Sequence, residues 1–97
     1  MSTQSIEFLQ TLEAVIDARK DSDPSESYTA QLLSAGTLRI AQKVGEEAVE
    51  LALASTEGTT DKIVAEAADL LYHVLVLLRN HDLSLTDVAR ELEGRHR

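Results

Sequence analysis

The sequence predicts an all-α fold, a bundle of four to five helices formed by one domain over residues 1–97. Apolar residues recur at three- and four-residue steps, which is the spacing of helices that bury one face. Glycine and proline are scarce, with 4 and 1 in 97 residues, so few positions interrupt a long helix. No segment alternates with the two-residue period of a half-buried strand.

Capping and turn residues divide the chain into predicted helices. The first helix carries apolar residues on one face: Ile6, Leu9, Leu12 and Ile16. Each later helix follows a short polar residue suited to an N-cap: Ser27, Thr37, Thr59 or Thr60, and Ser84, the last with Asp87 as capping-box partner. The helices are expected at about residues 5–20, 28–35, 38–55, 60–80 and 85–92.

Charge and composition exclude several classes of protein. The formal net charge of −8 argues against general nucleic-acid binding, because a phosphate backbone attracts a basic surface. The absence of cysteine excludes disulfides and thiolate metal sites. The first residues lack the basic and apolar regions of a signal peptide, and the apolar run Leu70–Leu78 is shorter than the roughly 20 residues that span a bilayer. A cytoplasmic protein without nucleic-acid or membrane partners is expected.

The third predicted helix collects its charges on one side. At 100° per residue, the polar face holds Arg39, Lys43, Glu46, Glu47 and Glu50. Like charges three or four residues apart cost roughly 0.2–0.5 kcal/mol per pair. A solvated face in which Lys43 pairs with Glu47 accounts for this pattern without a ligand, and that alternative stays open.

The fourth predicted helix is mostly apolar, with one narrow polar stripe. The stripe contains Lys62, Glu66, Asp69, His73 and Asn80. Val76 falls within the stripe, which indicates that the stripe does not simply face solvent. Asp69 directly precedes the longest apolar run and is expected near the interior, where an unpaired carboxylate is costly. We therefore expect a cation beside it.

The two acidic helices are expected to face each other. A short connection makes them antiparallel, which places Glu46, Glu47 and Glu50 opposite Glu66 and Asp69. Oxygen ligands without any thiolate favour a hard cation, Mg²⁺ first with Mn²⁺ as a substitute. On spacing alone, a metal site and an ordinary charged face both remain open.

The same residues form a known pattern. The spacing E-E-x-x-E at 46–50 followed by E-x-x-D at 66–69 resembles the signature of the all-α, MazG-like nucleoside triphosphate pyrophosphatases. Three longer blocks, "SYTAQLL", "QKVGEEAVEL" and "EAADLLYHVLVLL", resemble the phosphoribosyl-ATP pyrophosphohydrolases of histidine biosynthesis. This resemblance extends from about Leu9 to Leu92.

The resemblance implies a MazG-like helical bundle that hydrolyses phosphoribosyl-ATP to phosphoribosyl-AMP and pyrophosphate. It implies a Mg²⁺ site at five positions: Glu46, Glu47, Glu50, Glu66 and Asp69. Arg19, Tyr28, Lys43, Tyr72 and His73 also match family positions. Water would attack at the α–β phosphoanhydride, where bound Mg²⁺ offsets the charge of the substrate.

Roles for individual side chains follow from this chemistry. A carboxylate not fully used by the metal can take a proton from water, and we expect Glu46 or Glu47 in that role. The basic residues on the same stripes are expected to hold phosphates: Lys43, Arg39 and Lys62. His73 and Tyr72 are expected to hold the metal ligands in place without contacting the ion themselves.

The resemblance also implies partners. A homodimer is expected, and the wide apolar arc of the fourth helix is compatible with one. In some organisms a cyclohydrolase domain that uses cysteine and zinc is fused to this one. Because this sequence has no cysteine, phosphoribosyl-AMP cyclohydrolase is expected as a separate chain.

Three other functions remain open. A housekeeping pyrophosphatase of the same superfamily would act on ordinary or damaged nucleotides. A ferritin-like metal-binding bundle would need two Glu-x-x-His motifs, and the sequence has only Glu93-x-x-His96. A purely structural helical adaptor would not depend on the carboxylates at all.

Overall fold

The computed structural model describes the backbone of residues 2–96 and the side chains of residues 5–96. Regular structure in that part of the chain is entirely helical. The helices are α1 (Ser2–Ala18), α2 (Tyr28–Ala35), α3 (Thr37–Glu57), α4 (Thr60–Asn80) and α5 (Leu85–Arg95). The predicted all-α fold is confirmed, with five helices.

Helix starts follow the predicted capping chemistry at three of four positions. The Ser27 hydroxyl accepts the Ala30 backbone N–H, the Thr59 hydroxyl accepts that of Lys62, and Ser84 forms the capping box with Asp87. These bonds satisfy amide groups that have no partner within the first turn of a helix.

The predicted cap at Thr37 is wrong. Gly36 is the N-cap of α3, with a φ of 94° that favours glycine and no side-chain capping bond. Thr37 is already helical, and its hydroxyl instead accepts a hydrogen bond from the Asn80 amide at 2.7 Å. This bond ties the start of α3 to the end of α4.

The α3–α4 hairpin is the largest packing unit of the fold. Gly58 and Thr59 alone connect the two 21-residue helices, which therefore run antiparallel. A Cβ atom at Gly58 would lie 2.5 Å from the carbonyl oxygen of Ala54. Only glycine fits such a tight exit from α3, so this residue fixes where the hairpin turns.

The core lies toward the end of the hairpin away from its turn. Its buried side chains come from the first four helices: Ile16, Leu32, Ile40, Leu75 and Val76. The position of Val76 confirms that the polar stripe of α4 does not simply face solvent. Near the turn, Val49, Leu53 and Val64 are 59%, 54% and 67% exposed, so α1 and α2 do not cover this half of the hairpin.

Polar contacts fasten α1 to the corner between α4 and α5. The Arg79 guanidinium donates to both carboxylate oxygens of Asp17, at 2.9 and 2.8 Å. The Glu13 carboxylate is 9% exposed and accepts the Leu85 backbone N–H at 2.7 Å. Bidentate guanidinium–carboxylate pairs are strong and directional, so these contacts fix the direction of α5.

None of the helices within residues 2–96 is both long and apolar enough to cross a lipid bilayer.

Replacing Asp17 with Asn is expected to lower the free energy of unfolding by roughly 1 kcal/mol at neutral pH, after discounting for partial exposure. Hydrogen bonds from Arg79 hold the pKa of the Asp17 carboxyl below its usual 3.8. The stabilisation is therefore complete above that pH and is lost as the pH falls further. Urea unfolding of the wild type and of the variant should show a difference in the free energy of unfolding at neutral pH, and this difference should become smaller in acid.

The matched control is Glu91→Gln, which removes the more exposed Glu91–Arg95 pair at 3.0 Å. It should change the free energy of unfolding by less than about 0.5 kcal/mol. An equal loss in the free energy of unfolding in both variants would show that the Asp17–Arg79 pair stabilises the fold no more than an exposed pair.

Candidate metal centre

Three carboxylates from α3 and α4 converge near the middle of the hairpin. Glu66 and Asp69 are three residues apart on α4 and share a face, and Glu47 faces them from α3. One oxygen from each of the three lies within 4.8 Å of the other two. The hairpin therefore assembles an all-oxygen group from residues that are up to 22 positions apart.

The sequence context of Asp69 predicted a position near the interior, and this prediction is wrong. Its side chain is exposed, whereas those of Glu47 and Glu66 are half-buried. The reason is the architecture of the hairpin, because α1 and α2 do not cover the half that carries Asp69. The carboxylate thus borders solvent and is accessible to a dissolved ion.

Lys43 is the positive charge that balances α3 in the structure. Its ammonium lies 3.3 Å from a Glu46 oxygen and 3.4 Å from a Glu47 oxygen, and its side chain is only 19% exposed. The hydrogen bond to Glu46 is the main cause that raises the pKa of Lys43. Lys43 is therefore a fixed cation at the border of the three-carboxylate group.

Glu46 and Glu50 lie outside this group. The Glu46 carboxylate contacts Lys43 and accepts a hydrogen bond from the Gln42 amide at 3.3 Å. Glu50 borders an open pocket of about 430 Å³ at the hairpin turn, together with Lys62. Their roles as metal ligands stay predictions.

The remaining predicted phosphate ligand lies one turn before Lys43. The exposed Arg39 guanidinium donates to the Gln42 side chain at 3.1 Å, and Gln42 in turn donates to Glu46. Sequence analysis missed Gln42 as a link between these charges. Its spacing, three residues after Arg39 and four before Glu46, is the signal that would have identified it.

Two side-chain bridges join α2 to the acidic part of α4. The Tyr28 hydroxyl is 2.8 Å from Nε2 of His73, and Nδ1 of His73 is 2.7 Å from the Asp69 backbone carbonyl oxygen. Alongside, the hydroxyls of Thr29 and Tyr72 form a hydrogen bond. Burial raises the pKa of Tyr72. His73 is thus joined to the backbone of Asp69, and the supporting roles of His73 and Tyr72 stay predictions.

Comparison with known proteins identifies the family of this chain. The model of a family described as phosphoribosyl-ATP pyrophosphohydrolase matches residues 9–96. The chain belongs to this family. The match contains every residue of the candidate site.

Curated relatives share most of this chain. It is 55% identical over 89 residues to the histidine biosynthesis bifunctional protein HisIE of Photobacterium profundum, covering 92% of this chain and 43% of that protein. The HisIE of Vibrio cholerae is 52% identical over 90 residues, which cover 93% of this chain and 43% of that protein. The HisIE of Campylobacter jejuni is 53% identical over 90 residues, covering 93% and 44%.

The chain thus spans less than half the length of these relatives. The relatives are named as bifunctional proteins, so the expected separate cyclohydrolase chain is not confirmed by them.

Replacing Asp69 with Asn is expected to weaken Mn²⁺ binding at least about tenfold, because one of the three converging carboxylates would be lost as a candidate ligand. The same change should raise the thermal midpoint of the metal-free protein, because it removes a like charge. Titration calorimetry with Mn²⁺ and thermal unfolding in chelator measure the two effects.

Asp61→Asn, on the same helix but outside the group, is the control and should leave Mn²⁺ affinity within about twofold. Unchanged affinity in the Asp69 variant would remove this carboxylate from the metal site.

Proposed function

We propose that this family member hydrolyses phosphoribosyl-ATP to phosphoribosyl-AMP and pyrophosphate, the second step of histidine biosynthesis. The observation that carries the proposal is the convergence of Glu47, Glu66 and Asp69 in a chain matched by the family model over residues 9–96. The expected cytoplasmic location belongs to this proposal.

The carboxylates fit Mg²⁺, or Mn²⁺ as its substitute. Ligand oxygens at 2.0–2.1 Å from Mg²⁺ lie at most about 4.2 Å apart, and those of the group are within 4.8 Å of one another. Because only one of the three pairs of oxygens can lie opposite each other around the ion, and neighbouring ligands lie about 3 Å apart, the carboxylates would need to close by up to about 2 Å, which rotation of their side chains can supply. Bound at this position, the ion would neutralise the carboxylates, polarise the phosphorus and orient the attacking water.

Lys43 has two roles in this proposal. Without a cation its ammonium offsets the charge of Glu46 and Glu47. Once the ion neutralises Glu47, the same ammonium is available to a phosphate oxygen of the substrate. The side chain of Lys43 is long enough to change partners without any movement of the backbone, so no helix needs to shift.

The attacking water needs a base. Glu46 lies outside the three-carboxylate group, and one of its oxygens accepts a hydrogen bond from the neutral Gln42 amide. A carboxylate that stays beside the metal ligands without joining them is suited to accept the proton. We assign this step to Glu46, with Glu47 as the metal ligand next to it.

Arg39 and Lys62 lie to either side of the group along the hairpin, Arg39 toward the start of α3 and Lys62 toward the turn. Both side chains are exposed, and Lys62 shares its open pocket with Glu50. A substrate that extends along the hairpin would place its phosphates between these two positive charges, so we retain both as phosphate ligands and Glu50 as a further metal ligand.

A second copy of the chain completes the proposal. Val49, Leu53 and Val64 leave an apolar surface next to the carboxylates. Burying such side chains is worth about 1.5–3 kcal/mol each, and a two-fold interface buries every one of them twice. We therefore propose a homodimer formed through the hairpins.

The substrate is tested by measuring pyrophosphate release from phosphoribosyl-ATP, dATP and dCTP, each with Mg²⁺ and with chelator. We expect turnover of phosphoribosyl-ATP with Mg²⁺, at least about 100-fold slower turnover of dATP, and none in chelator. Equal rates on all three nucleotides would instead identify a housekeeping pyrophosphatase. Activity that survives Glu47→Gln would show that the carboxylates are not essential.

The homodimer is tested by sedimentation of the wild type and of Val64→Gln. The variant should raise the dimer dissociation constant by about tenfold or more, because an amide would be buried at the apolar contact. Val88→Gln, an exposed apolar position on α5, is the control and should sediment as wild type. A monomeric wild type at micromolar concentration would contradict the dimer.

A further inference from the structure

His73 is a buried side chain, and both of its ring nitrogens have hydrogen-bond partners. The side chain is 6% exposed. Nδ1 lies 2.7 Å from the Asp69 carbonyl oxygen, one helical turn earlier, and Nε2 lies 2.8 Å from the Tyr28 hydroxyl on α2. One side chain thus joins the turn that carries Asp69 to the first residue of another helix.

The partners define the direction of both hydrogen bonds. A carbonyl oxygen only accepts, so the proton of the neutral ring is on Nδ1. Nε2 is then the acceptor, and the Tyr28 hydroxyl donates to it. The chain of donors runs from Tyr28 through His73 to the backbone of Asp69.

His96 provides an internal comparison. Its Nδ1 is also hydrogen-bonded to the carbonyl four residues earlier, at 2.8 Å from Leu92, but the side chain is exposed. The contact of a histidine with its own helix is therefore not unusual in this protein. What His73 adds is burial and a hydrogen bond to a different helix.

The second bond restricts rotation of α4 about its own axis. A carboxylate lies about 5–6 Å from the axis of its helix, so a rotation of 10° moves it by about 1 Å. Displacements of this size matter, because metal ligands and catalytic groups need to be held within about 0.5 Å. The exposed Asp69 depends on such a restraint more than Glu47 and Glu66 do, since their side chains are half-buried.

We propose that Tyr28 and His73 are positioning residues, which hold the Asp69 carboxylate in register with Glu47 and Glu66 for cation binding. The proposal rests on the metal-dependent function proposed above. It assigns Tyr28 a role through His73 rather than contact with the reacting phosphate. It also predicts that loss of one hydroxyl on α2 changes the position of a carboxylate on α4.

The test compares two hydroxyl deletions at adjacent residues of α2. Tyr28→Phe removes the bond to His73 and keeps the ring, whereas Thr29→Val removes the neighbouring bond to Tyr72 and keeps the shape. The readouts are the Mn²⁺ dissociation constant of the protein alone, from the resonance signal of free Mn²⁺, and then kcat and KM for phosphoribosyl-ATP. Far-UV circular dichroism checks the fold.

We expect Tyr28→Phe to weaken Mn²⁺ binding about tenfold, which is typical for loss of a residue that orients a metal ligand. Catalytic efficiency at limiting Mg²⁺ should fall by a similar factor and recover in part at saturating Mg²⁺. Thr29→Val should stay within about twofold in both measurements. Equal Mn²⁺ affinities for the two variants would overturn the proposal.

His73→Asn provides a second variant on the same path. Asn retains a donor at the position of Nδ1 but cannot reach Tyr28, so it should match Tyr28→Phe, and the double variant should be no worse than either single one. In the wild type, nitrogen NMR of the imidazole should show the proton of His73 on Nδ1. A proton on Nε2 would also overturn the proposal, and so would a double variant in which the losses of Mn²⁺ affinity add.

These outcomes separate the two proposals. If the wild type does not hydrolyse phosphoribosyl-ATP but Tyr28→Phe still weakens Mn²⁺ binding, the proposed function fails and the positioning role stands. If the wild type is active and both hydroxyl variants bind Mn²⁺ alike, the function stands and the positioning role fails. A wild type that binds no Mn²⁺ would overturn the positioning role together with the metal site.

Discussion

The antiparallel packing of α3 against α4 brings like charges together, and the rest of the structure depends on that contact. A connection of two residues fixes the register of the helices, so that Glu47 faces Glu66 and Asp69. In a protein with a net charge of −8, this arrangement opposes folding unless a cation is close. Lys43 supplies one such charge on α3, and a divalent ion would supply the other.

The buried core and the three-carboxylate group occupy different parts of the hairpin. Buried apolar residues and the Asp17–Arg79 pair hold α1, α2 and α5 around the end of α4. The half that carries the carboxylates has little cover from the described part of the chain. This division lets the three carboxylates border solvent while the packed end holds the helices together. The bridge from α2 through His73 is where the two halves meet.

Much of this architecture was predictable because it depends on local signals. Helix periodicity and the caps at Ser27 and Ser84 are encoded within a few residues, and the family blocks identified the acidic positions. Thr37 and Asp69 were placed wrongly for one shared reason. Whether a hydroxyl caps its own helix or contacts Asn80, and whether a carboxylate is covered, depends on neighbours more than ten residues away. The Thr29–Tyr72 contact, between residues 43 positions apart, has no local signal at all.

The most direct measurement of the central claim is a crystal structure of the protein grown with Mn²⁺, with the ion located by its anomalous scattering. The account predicts a peak bound by oxygens of Glu47, Glu66 and Asp69 at metal–ligand distance, with Lys43 turned away from Glu47. An anomalous peak elsewhere, or none while Lys43 still contacts Glu47, would contradict the claim that the hairpin is built to hold a cation.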